Sequence, residues 1–527
     1  MRRIARSLPL LLASIALSVF PGRAQSLEAG RTTPAQATPA PPDPRQPLRF
    51  EITFPDSVRA TPAKGRLLIF VSSQSGAEPR KADYYRLGPV YAVPISEMRP
   101  GVPITVDAAS FHAPTALAFP YPLAWLPPGD YEVQALLDLD ETQPDYNEGP
   151  GNLYSRPSRC ELRGAYGGTW RLELGQVVPP ATPPPDTEWV KAFDLPSARL
   201  SAFHGRPIRL RAAVILPPAY ANTPSRRYPV IYQIPGYGDD HREAWGWISG
   251  PEGQRWRRGE TALPAIRVLL DPSCRLGHHA FANSANNGPV GDALIEELIP
   301  EVERRFRAIP EPGARFLTGH SSGGWSSLWL QITYPDSFGG CWSLAPDPVD
   351  FRAFQTLDLY HARNGLWAES GQPRALMRTR TQVVLNVPEL QLWEHVVGYG
   401  SQLDSFDAVF GPRRPDGTPA PVMDKLSGSI DPAVVEHWKR YDIRLVLEQN
   451  WAALAPKLKN KLHVIGAAWD DFYLGQATEL LGEFLRDTEH GGYVEMLPGG
   501  HGSVLTPELA RRIESEMAEA FARRANP

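Results

Sequence analysis

Between Leu48 and Leu174 apolar residues recur at every second position in short runs. Phe50, Ile52 and Phe54 alternate with Glu51 and Thr53, and Trp170, Leu172 and Leu174 alternate with Arg171 and Glu173. Tyr131, Val133, Ala135 and Leu137 likewise stand between Glu132, Gln134 and Asp138. Successive strand side chains point to opposite faces, so this period predicts half-buried strands. Leu68–Val71 is apolar at every position and predicts a strand buried on both sides. Proline and glycine turns separate the runs, and the whole reads as an all-β, sandwich-like domain over 48–176.

From about residue 188 the pattern changes. Dense apolar runs at Ile208–Leu216, Tyr228–Ile234, Ala265–Leu270, Gly340–Leu344, Leu462–Gly466 and Tyr493–Leu497 predict strands. Between them lie stretches with helical spacing. Leu294, Ile295, Leu298, Ile299, Val302 and Phe306 fall on one side of a helix over 291–307, and further helices are predicted over 325–334, 476–486 and 507–522. Strand and helix alternating in this way predict an α/β domain over 188–527, with a mostly parallel sheet and helices on both faces. Residues 351 to about 455 break the alternation. They are expected to form a lid-like insertion over the sheet edge, with an ordinary helical layer as the alternative.

Composition refines this outline. Of 527 residues 56 are proline, concentrated in a Pro/Ala/Thr-rich tether over 25–47, in a second linker over 177–187 and in loops. Arg2, Arg3 and Arg6, then the apolar run Leu8–Phe20, then Gly22-Arg23-Ala24, predict a secretory signal over 1–24, cleaved after Ala24. A secreted or periplasmic location follows as an expectation, without a stable membrane anchor after cleavage. The net charge of −4 comes with no basic block, which argues against a nucleic-acid partner. Cys160, Cys274 and Cys341 leave at least one thiol unpaired. Three buried thiols without a bridge is the expectation, and a Cys274–Cys341 pair is conceivable. His278-His279 lacks a third ligand at metal spacing, and the acidic loop Asp138, Asp140, Glu141, Asp145 matches no calcium loop, so no metal or cofactor is expected. Oligomeric state is left open.

The stretch Ala314–Trp325 carries the strongest chemical signal. Gly319-His320-Ser321-Ser322-Gly323 is a G-x-S-x-G pattern between a predicted strand and a predicted helix. That context predicts a nucleophile elbow, in which a serine sits on a sharp turn and bulky neighbours would clash. Ser321 is then the candidate nucleophile. A hydroxyl needs a base to take its proton and a carboxylate to orient that base. His501, in the glycine-rich loop after the last strand, is the candidate base. Asp470, after the strand at Leu462–Gly466, is the candidate acid, with Asp471 and Asp347 as rivals. The oxyanion of an acyl-transfer intermediate needs two N–H donors. Ser322, directly after the nucleophile, and Tyr237, in Pro235-Gly236-Tyr237-Gly238, are the candidates. Asn283, Ser284, His320 and Trp325 are candidate substrate-contact residues, each with a structural role as the alternative.

Together these pieces resemble the putative-esterase family of α/β-hydrolases, which includes esterase D, feruloyl esterases, enterochelin esterase and the mycolyltransferases. The resemblance rests on Tyr228–Gly238, Asn287–Pro300, Gly319–Gly324, Tyr334–Phe338 and Gly499–Ser503, and it covers about 195–345 and 460–525. It implies an α/β-hydrolase fold and a cofactor-free serine esterase acting on small-molecule or polymer-linked esters. It also implies a triad of Ser321, Asp470 and His501, with Tyr237 and Ser322 as oxyanion donors. The long 351–455 stretch and His320 depart from the family's general pattern, so the substrate does not carry over. A serine peptidase, an acyltransferase on the same fold, and a binding protein with a relic site are the other function classes.

Overall fold

The computed structural model describes residues 45–524, apart from 77, 82–86, 141–143, 163–165 and 399–400. The predicted signal over 1–24 and nearly all of the tether over 25–47 lie outside the described residues, as does Glu141 of the acidic loop.

Two sheets form the N-terminal region. Ile104–Asp107, Arg49–Thr53 and Thr169–Glu173 make the smaller one. The larger is centred on Ala63–Ser72, paired antiparallel to Val90–Met98 and Gly129–Asp138. Phe50, Ile52 and Leu172 face Leu67, Ile69, Val71, Val133, Ala135 and Leu137 in a common core. Burying such side chains stabilises the fold by about 1.5–3 kcal/mol each. The intervening positions Leu68, Phe70 and Leu136 are buried as well, on the outer face of the larger sheet. That second burial is why Leu67–Val71 reads as a continuous apolar run instead of an alternating one.

The α/β region holds one eight-stranded sheet. Its strands are β1 Val190–Ser197, β2 Ile208–Ile215, β3 Val230–Ile234, β4 Ile266–Leu270, β5 Arg315–His320, β6 Gly340–Leu344, β7 Leu462–Ala467 and β8 Tyr493–Leu497. Their spatial order is β1-β2-β4-β3-β5-β6-β7-β8. The pairs β1/β2 and β2/β4 are antiparallel, and every pair from β4/β3 to β7/β8 is parallel. Alternate residues of each strand serve two cores. Val230, Tyr232, Leu317, Cys341 and Val464 pack on one face. Ile231, Phe316, Trp342 and Ile465 pack on the other. Both faces being covered explains the dense apolar runs. The helices involved are α1 Ser322–Thr333, α4 Ile443–Leu458, α5 Gly475–Arg486 and α6 Pro507–Arg523; α1, α4 and α5 cover the first face and α6 the second.

Three local features add to the sequence reading. His204 ends a short helix, Ala198–His204, between β1 and β2, with Gly205 left-handed at φ 64°. Ser197 caps that helix by accepting the Leu200 N–H. The two helices at Glu243–Trp247 and Pro251–Arg257 were not anticipated at all. The third concerns 351–455. Its last part is α4, whose Ile443 and Leu447 sit in the core beneath the sheet, so this helix belongs to the regular layer between β6 and β7. The remainder holds a hairpin, Ala375–Arg378 with Val383–Asn386, and three helices, α2 Val387–Val397, α3 Gln402–Phe410 and the short Pro432–Trp438. Leu390, Val396 and Val397 of α2 pack on Leu68, Phe70 and Leu136, and Arg66 donates to the His395 carbonyl at 3.2 Å. The linker is held too, since the Trp245 indole donates to the Pro185 carbonyl at 2.9 Å. All three cysteines are free thiols.

Candidate active site

Ser321 stands between β5 and α1 at φ 60°, ψ −125°. A non-glycine residue held there carries strain of order 1–3 kcal/mol, so the surroundings must enforce it. They do so through the backbone. Ser321 donates its N–H to the Leu344 carbonyl at 3.0 Å, and its own carbonyl accepts from Asp347 at 3.2 Å and Trp325 at 3.0 Å. The turn is also crowded. A Cβ on Gly323 would lie 2.0 Å from the Ile234 carbonyl oxygen, and one on Gly319 would lie 2.2 Å from that of Gly323. Only glycine fits either position.

The loop after β3 lies against this turn, with the Cβ position of Gly236 3.5 Å from the Ser321 Cβ. Tyr237, the next residue, is half-buried. Buried His278 underpins the loop: its Nε2 donates to the Pro235 carbonyl at 3.2 Å and its Nδ1 accepts from the Ala280 N–H at 3.1 Å. Both ring nitrogens are thus assigned, and burial brings its pKa down to about 4, so the ring is neutral. Ser322 opens α1, where the first N–H groups have no acceptor within the helix. Its hydroxyl donates to Asp347 Oδ2 at 2.5 Å. Burial raises the Asp347 carboxyl to about 6, against the opposing Ser322 bond and the nearby His501.

His501 lies in the loop after β8, 8% exposed. Its Nδ1 is 2.8 Å from Asp470 Oδ2, and its backbone N–H donates to Asp471 Oδ2 at 2.7 Å. Asp470 is 1% exposed. Its other oxygen accepts from the N–H groups of Phe472 at 2.9 Å and Leu474 at 3.3 Å, which turns Oδ2 towards the histidine. Burial works against protonation of His501, but the hydrogen bond and charge of Asp470 outweigh it and the pKa is raised. With Nδ1 bonded to the carboxylate, Nε2 is left to accept a proton. Among the described residues the Ser321 hydroxyl has no hydrogen-bond partner.

The other candidates divide. His320 donates from Nε2 to the His501 carbonyl at 3.0 Å, and the two rings pack with centroids 4.4 Å apart. Burial and the neighbouring His501 lower its pKa to about 4, so it is a neutral brace. Trp325, in the first turn of α1, is buried against Trp329 and Phe410, and its indole N–H has no partner among the described residues. It lines a narrow cavity with His278, Ser322, Asp347 and, from α3, Phe406 and Phe410. Asn283 and Ser284 are not brought to the elbow. The Asn283 amide donates to the Tyr334 hydroxyl at 3.2 Å and its carbonyl oxygen accepts from Asp292, while Ser284 accepts from Asn287. Tyr334 follows the last residue of α1, whose 12 residues span about 18 Å, so the Asn283 contact is anchored to the end of the helix opposite Ser321. Both residues secure a hairpin.

Arg378 was not singled out from the sequence. Its N–H donates to the Asp471 carbonyl at 2.8 Å, its Nε to the Asp470 carbonyl at 3.2 Å, and its guanidinium lies 4.2 Å from the Tyr473 ring centroid. The hairpin within 351–455 therefore braces the loop that carries both carboxylates.

Residues 205–395 match the family model described as Putative esterase. The family recognised from the motifs is the one this match returns. The matched segment includes Tyr237, Ser321 and Ser322 and ends before Asp470 and His501. No curated protein sequence gives a significant match. Among solved structures, a ferulic acid esterase is 14% identical, covering 63% of this chain and 99% of its own, with a TM-score of 0.40. An S-formylglutathione hydrolase from Agrobacterium tumefaciens is 15% identical over 64% of this chain and 97% of its own, TM-score 0.39. A ferulic acid esterase from the anaerobic fungus Anaeromyces mucronatus is 14% identical over 64% and 94%, TM-score 0.33.

Proposed function

We propose that this chain is a serine carboxylic-ester hydrolase, with Ser321 as nucleophile, His501 as general base and Asp470 as the carboxylate that orients it. The family match supports ester hydrolysis as the reaction class. The observation that carries the finer reading is the Asp470–His501 contact of 2.8 Å, set beside a serine held at φ 60°.

In this reading the Ser321 oxygen attacks the ester carbonyl carbon while its proton passes to His501 Nε2. The tetrahedral oxyanion is held by the N–H groups of Ser322 and Tyr237. Each such donor is worth roughly 2.7–4 kcal/mol of barrier. The C–O bond then breaks, the alcohol leaves with the proton from His501, and an acyl group remains on Ser321. Water, deprotonated by the same imidazole, repeats the sequence and releases the acid. No metal or cofactor enters these steps. Carbohydrate-linked or phenolic esters are the proposed substrates, met outside the cytoplasm after removal of residues 1–24.

A fluorophosphonate probe tests the chemistry. The folded protein is expected to take up one probe, and Ser321→Ala none. Absence of labelling in the folded wild-type chain overturns the proposal. Turnover of p-nitrophenyl acetate and methyl ferulate, with none of a peptide amide, is the expected substrate pattern.

A further inference from the structure

A cleft of about 630 Å³ opens where β2 and β4 reach the sheet edge that carries the elbow. It takes no part in the chemistry above. Its size suits an organic ligand. Leu200, Phe203, Leu276 and Val290 supply apolar walls, and Arg206, Arg209, Arg211, Arg275 and Arg413 supply five guanidinium groups. Two acids share the cleft, and both are engaged. Asp194 accepts from Arg209 at 2.6 Å, and Asp271 faces His241 at 3.2 Å and Arg211 at 3.5 Å. Arg206 and Arg413 have no acceptor among the described residues. Both line the cleft together with His204, whose pKa is lowered by burial and by the charges of Arg206, Arg413 and Arg275.

A second observation lies deeper. Asn286 and Asn287 line the cleft and are each 5% exposed. The Asn287 amide nitrogen is buried without a partner among the described residues, while its oxygen accepts from the Cys274 thiol at 3.5 Å. An uncovered buried donor costs about 1–3 kcal/mol, which a bound acceptor would offset. Position ties the cleft to the elbow. β2 and β5 are separated by three strand spacings, roughly 14 Å. The consecutive residues His278 and His279 line the elbow cavity and the cleft respectively.

We infer that this cleft binds a carboxylate-bearing part of the ester substrate, so that the natural substrate is an acidic carbohydrate ester with its charged unit three strand spacings, roughly 14 Å, from the scissile bond. The inference rests on the esterase reading for the word substrate, but its test does not. Guanidinium groups recognise carboxylates through paired N–H donors, and an apolar wall accepts the face of a sugar ring.

The test titrates the full chain with trigalacturonate and with a neutral trisaccharide of the same length, by calorimetry. Wild type is expected to bind trigalacturonate at least about tenfold more tightly than the neutral sugar, with affinity falling as salt rises. Arg206→Ala/Arg413→Ala is expected to abolish that preference. Arg206→Lys/Arg413→Lys retains part of it, because charge survives and paired bonding does not. Ser321→Ala binds as wild type does, and the double alanine variant keeps the wild-type rate on p-nitrophenyl acetate. Equal binding of the two sugars overturns the inference, and so does trigalacturonate binding that survives the double variant. Inorganic phosphate binding as tightly as trigalacturonate overturns it as well. Loss of both sugar binding and p-nitrophenyl acetate turnover in the double variant assigns the arginines to the fold and also overturns it. Failure of fluorophosphonate labelling, by contrast, removes the esterase reading and leaves the titration standing.

Discussion

Asp470 and His501 meet through Oδ2 and Nδ1 at 2.8 Å, while adjacent Asp471 holds the same histidine by its backbone N–H at 2.7 Å. Two neighbouring carboxylates therefore have different tasks, one facing the ring and one fixing the loop. Asn substitution separates them. Asp470→Asn can present an amide N–H to Nδ1 and so favours the wrong tautomer. A loss in kcat of about 10³- to 10⁴-fold on p-nitrophenyl acetate is expected. Asp471→Asn keeps an oxygen for the His501 N–H, and Asp347→Asn keeps one for the Ser322 hydroxyl. Each is expected to cost less than about tenfold, the scale of one neutral hydrogen bond. A larger loss from either than from Asp470→Asn would reassign the acid.

The pH profile follows from the same contact. His501 must be neutral to accept a proton, and its pKa lies above the ordinary histidine value of about 6.5. The acidic limb of kcat/KM is thus expected above that value, with activity lost as pH falls through it. Removing the Asp470 charge leaves burial, which lowers the pKa, opposed only by the smaller effects of Asp347 and Asp471. The residual activity of Asp470→Asn should therefore show its limb at lower pH than wild type. A limb that moves to higher pH would contradict the assignment.

Crowding at the elbow gives a stability prediction. The Cβ of Gly323→Ala would sit 2.0 Å from a backbone carbonyl oxygen, which has no rotamer to escape into. A loss of about 1–3 kcal/mol, read as a fall in Tm, is expected together with loss of turnover. Gly246→Ala is the control, since its Cβ would meet nothing within 4 Å and the residue lies in the helix Glu243–Trp247. That change is expected to be neutral or to stabilise by about 0.4–1 kcal/mol.

Burial pushes the thiols of Cys160, Cys274 and Cys341 up to about 12. The folded chain is expected to resist iodoacetamide at neutral pH. Unfolded without reductant, it should take up three adducts by intact mass. One adduct instead of three would reveal a disulfide absent from this structure.

Much of this architecture is written in the apolar pattern, because the α/β sheet is covered on both faces and its strands need side chains such as Tyr232 and Ile231 for opposite cores. The elbow is legible for a related reason: the close approaches of Gly319 and Gly323 admit no side chain. What escaped the sequence depends on chain segments that meet only after folding. Which of Asp470 and Asp471 faces the imidazole is decided by the N–H groups of Phe472 and Leu474, a turn geometry with no signature in residue type. Asn283 and Ser284 follow β4, whose end lies at the right sheet edge, yet their hairpin folds towards Tyr334 at the distant end of α1. Arg378 reaches the acid loop from 92 residues away, in a stretch without periodicity.

Helix α2 packs its apolar residues on the outer face of the N-terminal β-sheet, while the hairpin before it grips the loop of Asp470 and Asp471. Melting of the β region would strip cover from Leu390, Val396 and Val397 and release the anchor of the hairpin. The two regions are therefore thermodynamically linked, and heating should give one calorimetric endotherm spanning both. A damaging substitution in the β core, such as Ile69→Ala, would then be felt at the serine, as lost activity at temperatures where an isolated α/β region would still be folded.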